Sequence, residues 1–280
     1  MTIAAGFVCN DGAVICADSQ HTGSTAKFDD NKIIEISKKD GARLVVTGAG
    51  ATDYLRMAAD LLEEGFQECK STFTDIRKLI KGVILEVYRD HITPFWPPGD
   101  PNTPQVLLIV AARIPSGKVR LWKVSETSVS MCRMSVFVGI GSETANGLAT
   151  WLYDGVDDWS VTQVLAKEIL TETKRTVRDC GGETHVCTIP EGKEHIHTTI
   201  IRPDLEGEFF DGINRHLGDA LICAIDKRIQ DSTFKSRVGI LVKHLQRLRD
   251  RAKALPRGDE AELMFSMVRR SIPSPEQPEP

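Results

Sequence analysis

Two apolar segments at the start of the chain constrain its fold most strongly. Residues 2–9 and 13–17 are apolar or small almost without interruption, and Asn10-Asp11-Gly12 lies between them. A strand that is apolar on both faces must be covered on both faces, because a strand with one face in water alternates apolar and polar residues. An Asp-Gly pair between two such runs is a strong hairpin signal. The sequence therefore predicts an opening β-hairpin that is covered on both sides.

Further strands and helices are predicted in blocks. Apolar runs of strand length lie at 42–47, 106–111, 118–124, 129–138, 183–189 and 197–202. Helical segments are predicted to begin at Thr52 or Asp53, after Thr74, at Ser142 and at Ser160. The order is strands, two helices, strands, two helices and strands. Two sheets that carry helices on their outer faces satisfy this order, so the sequence predicts an α+β fold.

Local signals set the expected boundaries of these elements. Gly48-Ala49-Gly50 is predicted to form a turn, and Thr52 or Asp53 is expected to cap the helix that follows it. Ser160-x-x-Gln163 has the pattern of a capping box for a later helix. The second helix carries an apolar stripe typical of a face that packs on a core. The members of this stripe are Ile76, Leu79, Ile80, Val83, Ile84, Val87 and Tyr88.

The pattern changes beyond Pro203. We predict a main domain at 1–203, a helical extension at 204–270 and a disordered tail at 271–280, which contains four prolines. The extension has apolar stripes that fit two helices, one near 217–229 and one near 238–248.

The segment 235–257 of this extension is strongly basic, with eight Lys or Arg residues against Asp250. A basic amphipathic helix can bind an acidic protein surface, a membrane or RNA, and it can also be a solvated face beside an apolar stripe. No aromatic residues are interleaved with the basic ones, so docking on a neighbouring subunit is favoured over nucleic acid.

Composition excludes several classes of protein. The chain carries a net charge of −4, so it is not built as a whole to bind nucleic acid. Its seven cysteines are odd in number and include no C-x-x-C pair, which favours reduced thiols over disulfides or a zinc knuckle. No apolar run approaches the roughly 20 residues that span a bilayer, and no signal-peptide pattern opens the chain. We therefore expect a cytoplasmic protein without a membrane anchor.

The first residues carry a candidate for chemistry. A methionine followed by a small residue is normally removed, so loss of Met1 leaves Thr2 as the amino terminus. A terminal threonine supplies both a nucleophilic hydroxyl and, in its own α-amine, a base whose ordinary pKa is about 7.7–8.0. Asp18 and Lys32 follow near the ends of the predicted strands. Thr2, Asp18 and Lys32 together are the groups that a threonine hydrolase requires.

These residues lie in segments that resemble a known family. The segments are residues 2–18, 32–36 and 47–53, with weaker similarity at 139–143 and 178–182. Over residues 2–202 the chain resembles proteasome β-type subunits, which are N-terminal-nucleophile hydrolases. The opening hairpin is the specific part of this resemblance.

The resemblance implies a four-layer αββα sandwich and a threonine-type amide hydrolase, expected to be a peptidase. Thr2 would attack the amide carbonyl, Lys32 would lower the pKa of the Thr2 hydroxyl, and Asp18 would orient Lys32. A backbone amide at Gly48 or Ala49 would bind the oxyanion. The resemblance implies no metal and no cofactor.

Three features depart from the family pattern. The spacing from Thr2 to Lys32 is shorter than is usual in the family. Ile140 stands where active relatives have a serine, and Ser142 follows two residues later. The family's Asp-x-x-Ser-Gly-Gly is contracted to Asp179-Cys180-Gly181-Gly182. Asp179, Cys180 and Ser142 are the candidates for the supporting roles that these positions have in the family.

Two functions therefore stay open at this point. The intact set of Thr2, Asp18 and Lys32 favours a self-assembling peptidase that acts on peptides or unfolded proteins. Ile140 and the contracted segment favour a non-catalytic assembly subunit of the same fold. The chain is expected to form a homo-oligomer, as a ring or stacked assembly. The resemblance adds a separate unfoldase ATPase as a partner of the peptidase.

Other reactive side chains carry weaker signals. Cys180 with His185 as a nucleophile pair has no supporting local motif, and a buried cysteine at a strand end is favoured instead. His195 and His197 would share one face of a strand, with His185 as a third metal ligand. No cysteine or carboxylate completes the ligand set, so hydrogen-bonded histidines are favoured over a metal site.

Overall fold

The computed structural model places the opening hairpin inside a five-stranded antiparallel sheet. Its strands are β1 (Ile3–Cys9), β2 (Gly12–Asp18), β10 (Ser135–Gly139), β11 (Thr184–Pro190) and β12 (His197–Ile201). Their order is β10-β1-β2-β11-β12. Every residue of β2 is buried, as the continuous apolar pattern predicts. The hairpin prediction is confirmed.

A second antiparallel sheet has the order β5-β6-β7-β8-β9. Its strands are β5 (Ile34–Ser37), β6 (Arg43–Gly50), β7 (Val106–Arg113), β8 (Val119–Ser125) and β9 (Ser128–Met131). Two short strands, β3 (Gln20–Thr22) and β4 (Lys27–Asp29), come between β2 and β5 along the chain and pair with each other.

Helices follow the strands in two pairs. They are α1 (Thr52–Glu68), α2 (Phe73–Glu86), α3 (Ser142–Leu152) and α4 (Trp159–Thr176), and α2 continues into a π-helical turn at Val87–Ile92. The mixed α+β prediction is confirmed by these elements and by the two sheets.

Three clusters of buried side chains hold the elements together. One lies between the second sheet and α1 and α2, and it includes the predicted α2 stripe. Another lies between the first sheet and α3 and α4, around Phe7, Phe137 and Tyr153, whose rings meet edge to face. The third joins the inner faces of the two sheets through residues such as Ala17 and Val45. This third cluster brings the end of β2 close to β6 and to Ile33, which precedes β5.

The structure describes residues 3–22, 27–97, 99–153, 155, 158–192, 196–201, 220, 223–224 and 230–254. The chain divides into two compact units, Met1–Glu206 and Gly207–Pro280. The domain boundary predicted at 203 and the docking role of the extension stay predictions. The predicted tail at 271–280 and most of the helix near 217–229 lie outside the described residues.

In the second unit, one long helix, α5 (Asp231–Ala254), includes the predicted apolar segment 238–248. Several of its large apolar side chains are exposed, among them Phe234, Val242 and Leu245. Over the described part of the chain, no helix is both long enough and apolar enough to span a membrane.

The prediction of one strand at 129–138 is wrong. The backbone amide of Cys132 still donates to Leu121 of β8, at 2.9 Å, whereas the carbonyl of Met134 accepts from Val8 of β1, at 2.7 Å. The chain thus passes from the second sheet to the first between β9 and β10. A continuous run of strand-forming residues does not reveal a change of pairing partner.

Both predicted helix caps are also wrong. The N-cap of α1 is Ala51, which has no side-chain capping bond. The helix α4 begins at Trp159 with Asp158 as its N-cap, so Ser160 lies inside the first turn. Trp159 donates its amide to the Asp11 carboxylate of the opening hairpin, at 2.8 Å. The side chain of Asp11, which is distant in sequence, therefore accepts from one of the first-turn amides that have no partner inside the helix.

Candidate active site

A buried ion pair lies where β2 ends. The Lys32 ammonium is 2.7 Å from Asp18 Oδ1, and the side chains are 5% and 0% exposed. Lys32 also donates a hydrogen bond to the carbonyl oxygen of Gln20. Asp18 comes from the first sheet, and Lys32 comes from the segment that leads into β5 of the second. The structure thus brings together two of the three predicted catalytic residues.

Two backbone amides complete the surroundings of the Asp18 carboxylate. Ile3 donates to Oδ1 at 3.2 Å, and Gly181 donates to Oδ2 at 3.1 Å. Thr2 lies outside the described residues. Its neighbour Ile3, the first residue of β1, is fully buried and is in contact with the Asp18 carboxylate through its amide.

The charge on Asp18 reflects two opposed effects. Burial raises the pKa of the Asp18 carboxyl above its ordinary value, because it penalises the ionised form. The nearby Lys32 ammonium and the amides of Gly181 and Ile3 lower it again, but less than burial raises it. Asp18 therefore depends on these partners to stay ionised in its buried position.

The glycine loop that contacts Asp18 is held from α4. The ammonium of Lys174 donates to the carbonyl of Gly182 at 3.1 Å and to the hydroxyl of Thr184 at 2.6 Å. Gly181 in turn accepts from the amide of Gln20, at 3.3 Å. No local pattern predicts this role for Lys174, because it lies on the polar side of a helical pattern.

Gly48, Ala49 and Gly50 lie within β6 and do not form the predicted turn. Ala51 donates its amide to the carbonyl of Gln105, at 3.0 Å. Hydrogen-bonded and non-hydrogen-bonded pairs alternate along an antiparallel ladder, so the amide of Ala49 points to β7 and that of Gly48 points away from it. Of the two oxyanion candidates, the Gly48 amide is thus the one directed out of the β6–β7 ladder.

The edge to which Gly48 points is open in the described sheet. β5 pairs with β6 from Ile34 opposite Val46 to Ser37 opposite Arg43, and it extends no further along β6. Lys32 lies two residues before Ile34, and Gly48 lies two residues after Val46. The ends of these two segments therefore place the Lys32 backbone and the Gly48 amide at the same end of the sheet.

The predicted supporting residues differ in their surroundings. Cys180 is buried, and Ser142 and Asp179 are partly buried, the former at the start of α3 and the latter in the turn after α4. A Cβ atom added to Gly141 would lie 3.0 Å from the Cys180 sulfur and 3.1 Å from Cδ1 of Ile3. Cys180 therefore packs close to the start of β1. Ile140 is 48% exposed.

His185 takes part in a network that the sequence did not reveal. Its Nδ1 is 2.9 Å from Oδ1 of Asn31, and its Nε2 is 3.7 Å from a carboxylate oxygen of Glu183. Within the described residues, no group of three or more His, Cys, Asp or Glu side chains is arranged to hold a metal ion, and His195 lies outside those residues. Asn31 preceding Lys32 was the available signal, since Asn side chains often bond the backbone two residues on.

We expect Cys180 and Cys187 to resist alkylation in the folded protein. Burial raises the pKa of each thiol to about 12, which leaves a thiolate fraction on the order of 10⁻⁴ at pH 8. Iodoacetamide labelling at pH 8 followed by peptide mass spectrometry should modify both at least about a hundredfold faster in urea than in buffer. Rapid labelling of native Cys180 would instead restore it as a candidate nucleophile.

Comparisons with known proteins agree at the level of the fold. A scan against protein-family models found no match, and a search of curated proteins also found none. Among solved structures, the Gly-1 mutant of Anbu from Hyphomicrobium sp. strain MC1 is 15% identical, with a TM-score of 0.67 over 82% of this chain and 99% of that chain. Anbu (ancestral beta-subunit) from Yersinia bercovieri is 14% identical, with a TM-score of 0.66 over 81% and 97%.

A third similar structure is the helical assembly of the Anbu complex from Pseudomonas aeruginosa. It is 14% identical, with a TM-score of 0.66 over 82% of this chain and 98% of that chain. At this identity the likeness establishes the fold, which is mixed α+β and Anbu-like.

Proposed function

We propose that the chain is a threonine-type amide hydrolase on the four-layer αββα sandwich of N-terminal-nucleophile hydrolases. The observation that carries this proposal is the buried ion pair between Asp18 and Lys32, with the amide of Ile3 bonded to Asp18. Thr2 is joined to Ile3 by one peptide bond, and consecutive Cα atoms are about 3.8 Å apart. A nucleophile at Thr2 would therefore be one residue from the carboxylate.

In this proposal the amine of Thr2, freed by removal of Met1, takes the proton of the Thr2 hydroxyl as the oxygen attacks an amide carbonyl. The C–N bond breaks, the protonated amine supplies the leaving nitrogen with its proton, and an ester forms on Thr2. Water then hydrolyses the ester with the same amine as base. Lys32 favours the developing oxyanion of the hydroxyl by its charge, and Asp18 keeps the ammonium in place.

The negative charge on the substrate oxygen requires a donor of its own. The amide of Gly48 suits this role because it points out of the β6–β7 ladder, toward an edge that β5 leaves open. Ala49 fits less well, since the ladder directs its amide to β7. Asp179, Cys180 and Ser142 remain the candidates for support of the Thr2 amine, with Cys180 as a weak hydrogen-bonding partner.

The substrate class proposed is a peptide or an unfolded protein, and the chain is proposed to act as a homo-oligomer. The helical assembly of the similar Anbu complex from Pseudomonas aeruginosa supports self-association. The exposed apolar residues of α5, such as Val242 and Leu245, also suit a contact with another subunit. A separate unfoldase ATPase would supply unfolded substrate.

The second candidate function is a non-catalytic assembly subunit. The observation that favours it is the environment of Cys180, which is buried and whose pKa is raised to about 12. Such a thiol is a poor substitute for the serine hydroxyl of active relatives, and Ile140 supplies no hydroxyl either. The two candidates share the fold and differ in whether Thr2 turns over an amide.

The deciding experiment is covalent trapping at the amino terminus. We expect the intact mass of the purified protein to lack Met1, and a β-lactone probe to acylate the amino-terminal peptide. Thr2→Ser should retain the adduct, whereas Thr2→Val, which removes the hydroxyl at nearly constant volume, should lose it. Retention of Met1 on essentially all chains, together with no adduct on an assembled particle, would leave the assembly subunit as the function.

A further inference from the structure

We propose that His185 is a positioning residue for Lys32, acting through the side chain of Asn31. The inference rests on the proposed function for its catalytic meaning, but the contacts that carry it concern only described residues. His185 lies on β11 opposite Ala17 of β2, so it belongs to the first sheet. Asn31 and Lys32 lie in the segment before β5 of the second sheet. One hydrogen bond thus links the two sheets next to the ion pair.

Asn31 holds the backbone on both sides of Lys32. Its Oδ1 accepts from the amide of Ile33 at 3.0 Å, which closes an Asx turn around residue 32. The same oxygen contacts Nδ1 of His185 at 2.9 Å. An amide oxygen has two lone pairs, so it can accept both bonds at once. The turn that carries Lys32 is therefore fixed by a side chain from the opposite sheet.

These contacts show which nitrogen of the imidazole donates to Asn31. The backbone N–H of Ile33 can only donate, so the Asn31 group facing it must be the oxygen and not the nitrogen. Nδ1 of His185 faces that same oxygen and must donate to it. Nδ1 therefore carries a hydrogen, and Nε2 lies 3.7 Å from a carboxylate oxygen of Glu183.

Glu183, whose carboxylate lies near Nε2, is itself held against the residue that follows Asp18. Glu183 donates its amide to the hydroxyl of Ser19 at 2.8 Å, and Ser19 donates its amide to the carbonyl of Glu183 at 2.8 Å. Ser19 follows Asp18 directly. A continuous series of contacts thus runs from Asp18 through Ser19, Glu183, His185 and Asn31 to Lys32, and so connects the two partners of the ion pair.

This series of contacts has a consequence for Lys32. A lysine side chain has four rotatable bonds, and holding its ammonium in one place costs side-chain entropy. A rigid backbone at residue 32 restricts the positions that the Lys32 ammonium can reach. We infer that loss of the Asn31–His185 bond lets the Lys32 ammonium leave Asp18 more often without unfolding the protein.

A matched pair of substitutions separates this role from packing. In His185→Asn the amide nitrogen can occupy the place of Nδ1 and donate to Asn31, whereas in His185→Gln the amide reaches the place of Nε2 instead. The measurement is the rate at which acetic anhydride labels Lys32 in the full-length protein, followed by peptide mass spectrometry. Lys38, at the other end of β5, donates to the carbonyl of Cys69 and serves as the internal reference.

We expect His185→Gln and Asn31→Ala to raise the labelling rate of Lys32 about five- to tenfold relative to Lys38, the effect of losing one hydrogen bond. His185→Asn should stay within about twofold of the original protein. If turnover of a reporter peptide is measured, kcat should fall in His185→Gln with KM unchanged, and His185→Asn should restore it. Equal labelling in His185→Asn and His185→Gln, or no increase in either, would overturn the proposal.

The labelling result does not depend on the proposed hydrolysis. If the expected labelling pattern appears and no variant turns over any peptide, the positioning role stands and the hydrolase proposal fails. If turnover is observed and depends on Thr2 but Lys32 labelling is the same in all His185 variants, the hydrolase proposal stands and this one fails.

Discussion

Lys32→Ala is expected to reduce amide turnover by at least about a hundredfold, because it removes the charge proposed to activate the Thr2 hydroxyl. It should also destabilise the protein by roughly 3–5 kcal/mol, since the carboxylate of Asp18 is fully buried and would lose its counter-ion. Peptide turnover and urea unfolding measure the two effects on the same preparation. Lys38→Ala, which removes a lysine from the other end of β5, is the control that should leave turnover unchanged.

The stability loss in Lys32→Ala has a defined pH dependence. Burial raises the pKa of Asp18 above its unfolded value, and loss of Lys32 removes the strongest opposing effect. Between the unfolded and folded pKa values the native state binds more protons than the unfolded state, so stability falls as pH rises through that window. The deficit of Lys32→Ala relative to the original protein should therefore be smaller at pH 5 than at pH 7.5.

Two further variants separate folding from chemistry. Replacing both partners, as in Asp18→Asn with Lys32→Met, removes the uncompensated buried charge and should recover most of the stability without recovering turnover. Lys32→Arg should not restore turnover, because a planar guanidinium cannot occupy the place of a compact ammonium between Asp18 and Gln20. Full turnover in Lys32→Ala, still dependent on Thr2, would show that another residue activates the nucleophile.

The parts of the fold that the sequence predicted are those with a strong local period. The opening hairpin follows from continuous apolar runs and the α2 stripe from helical spacing. Both depend only on which residues are buried. The strand predicted at 129–138 failed because strand propensity says nothing about which partner a strand pairs with. The caps of α1 and α4 failed because backbone donors can be satisfied by distant groups, as Asp11 does for Trp159.

The candidate site shows the same division. Asp18 and Lys32 were predicted from a resemblance, and the structure places them 2.7 Å apart. The supports of this pair, His185 and Lys174, come from residues more than 140 positions away in the sequence from Lys32 or Asp18. Their roles depend on how the first sheet packs against the second sheet and α4, and local sequence patterns do not predict this packing. The Gly48–Gly50 segment was predicted as a turn because glycines favour turns, whereas here they are needed inside a strand.

Gly48→Ala tests why a glycine is needed in that strand. A Cβ atom at this position would lie 2.3 Å from the carbonyl oxygen of Leu107 and 3.0 Å from a methyl carbon of each of Leu55 and Leu108. The oxygen belongs to the backbone of β7 and cannot move without shifting the β6–β7 ladder. We expect a loss of stability of about 2–3 kcal/mol, at the upper end for overpacking.

Gly82→Ala is the matched control, because it makes the same change where a side chain has room. Gly82 is exposed on α2, and a Cβ atom there meets nothing within 4 Å. This substitution should stabilise the protein by up to about 1 kcal/mol through higher helix propensity. Urea unfolding of both variants gives the two signs directly. If Gly48→Ala leaves the midpoint unchanged, β6 and β7 do not approach as closely as the structure requires, and the direction inferred for the Gly48 amide loses its support.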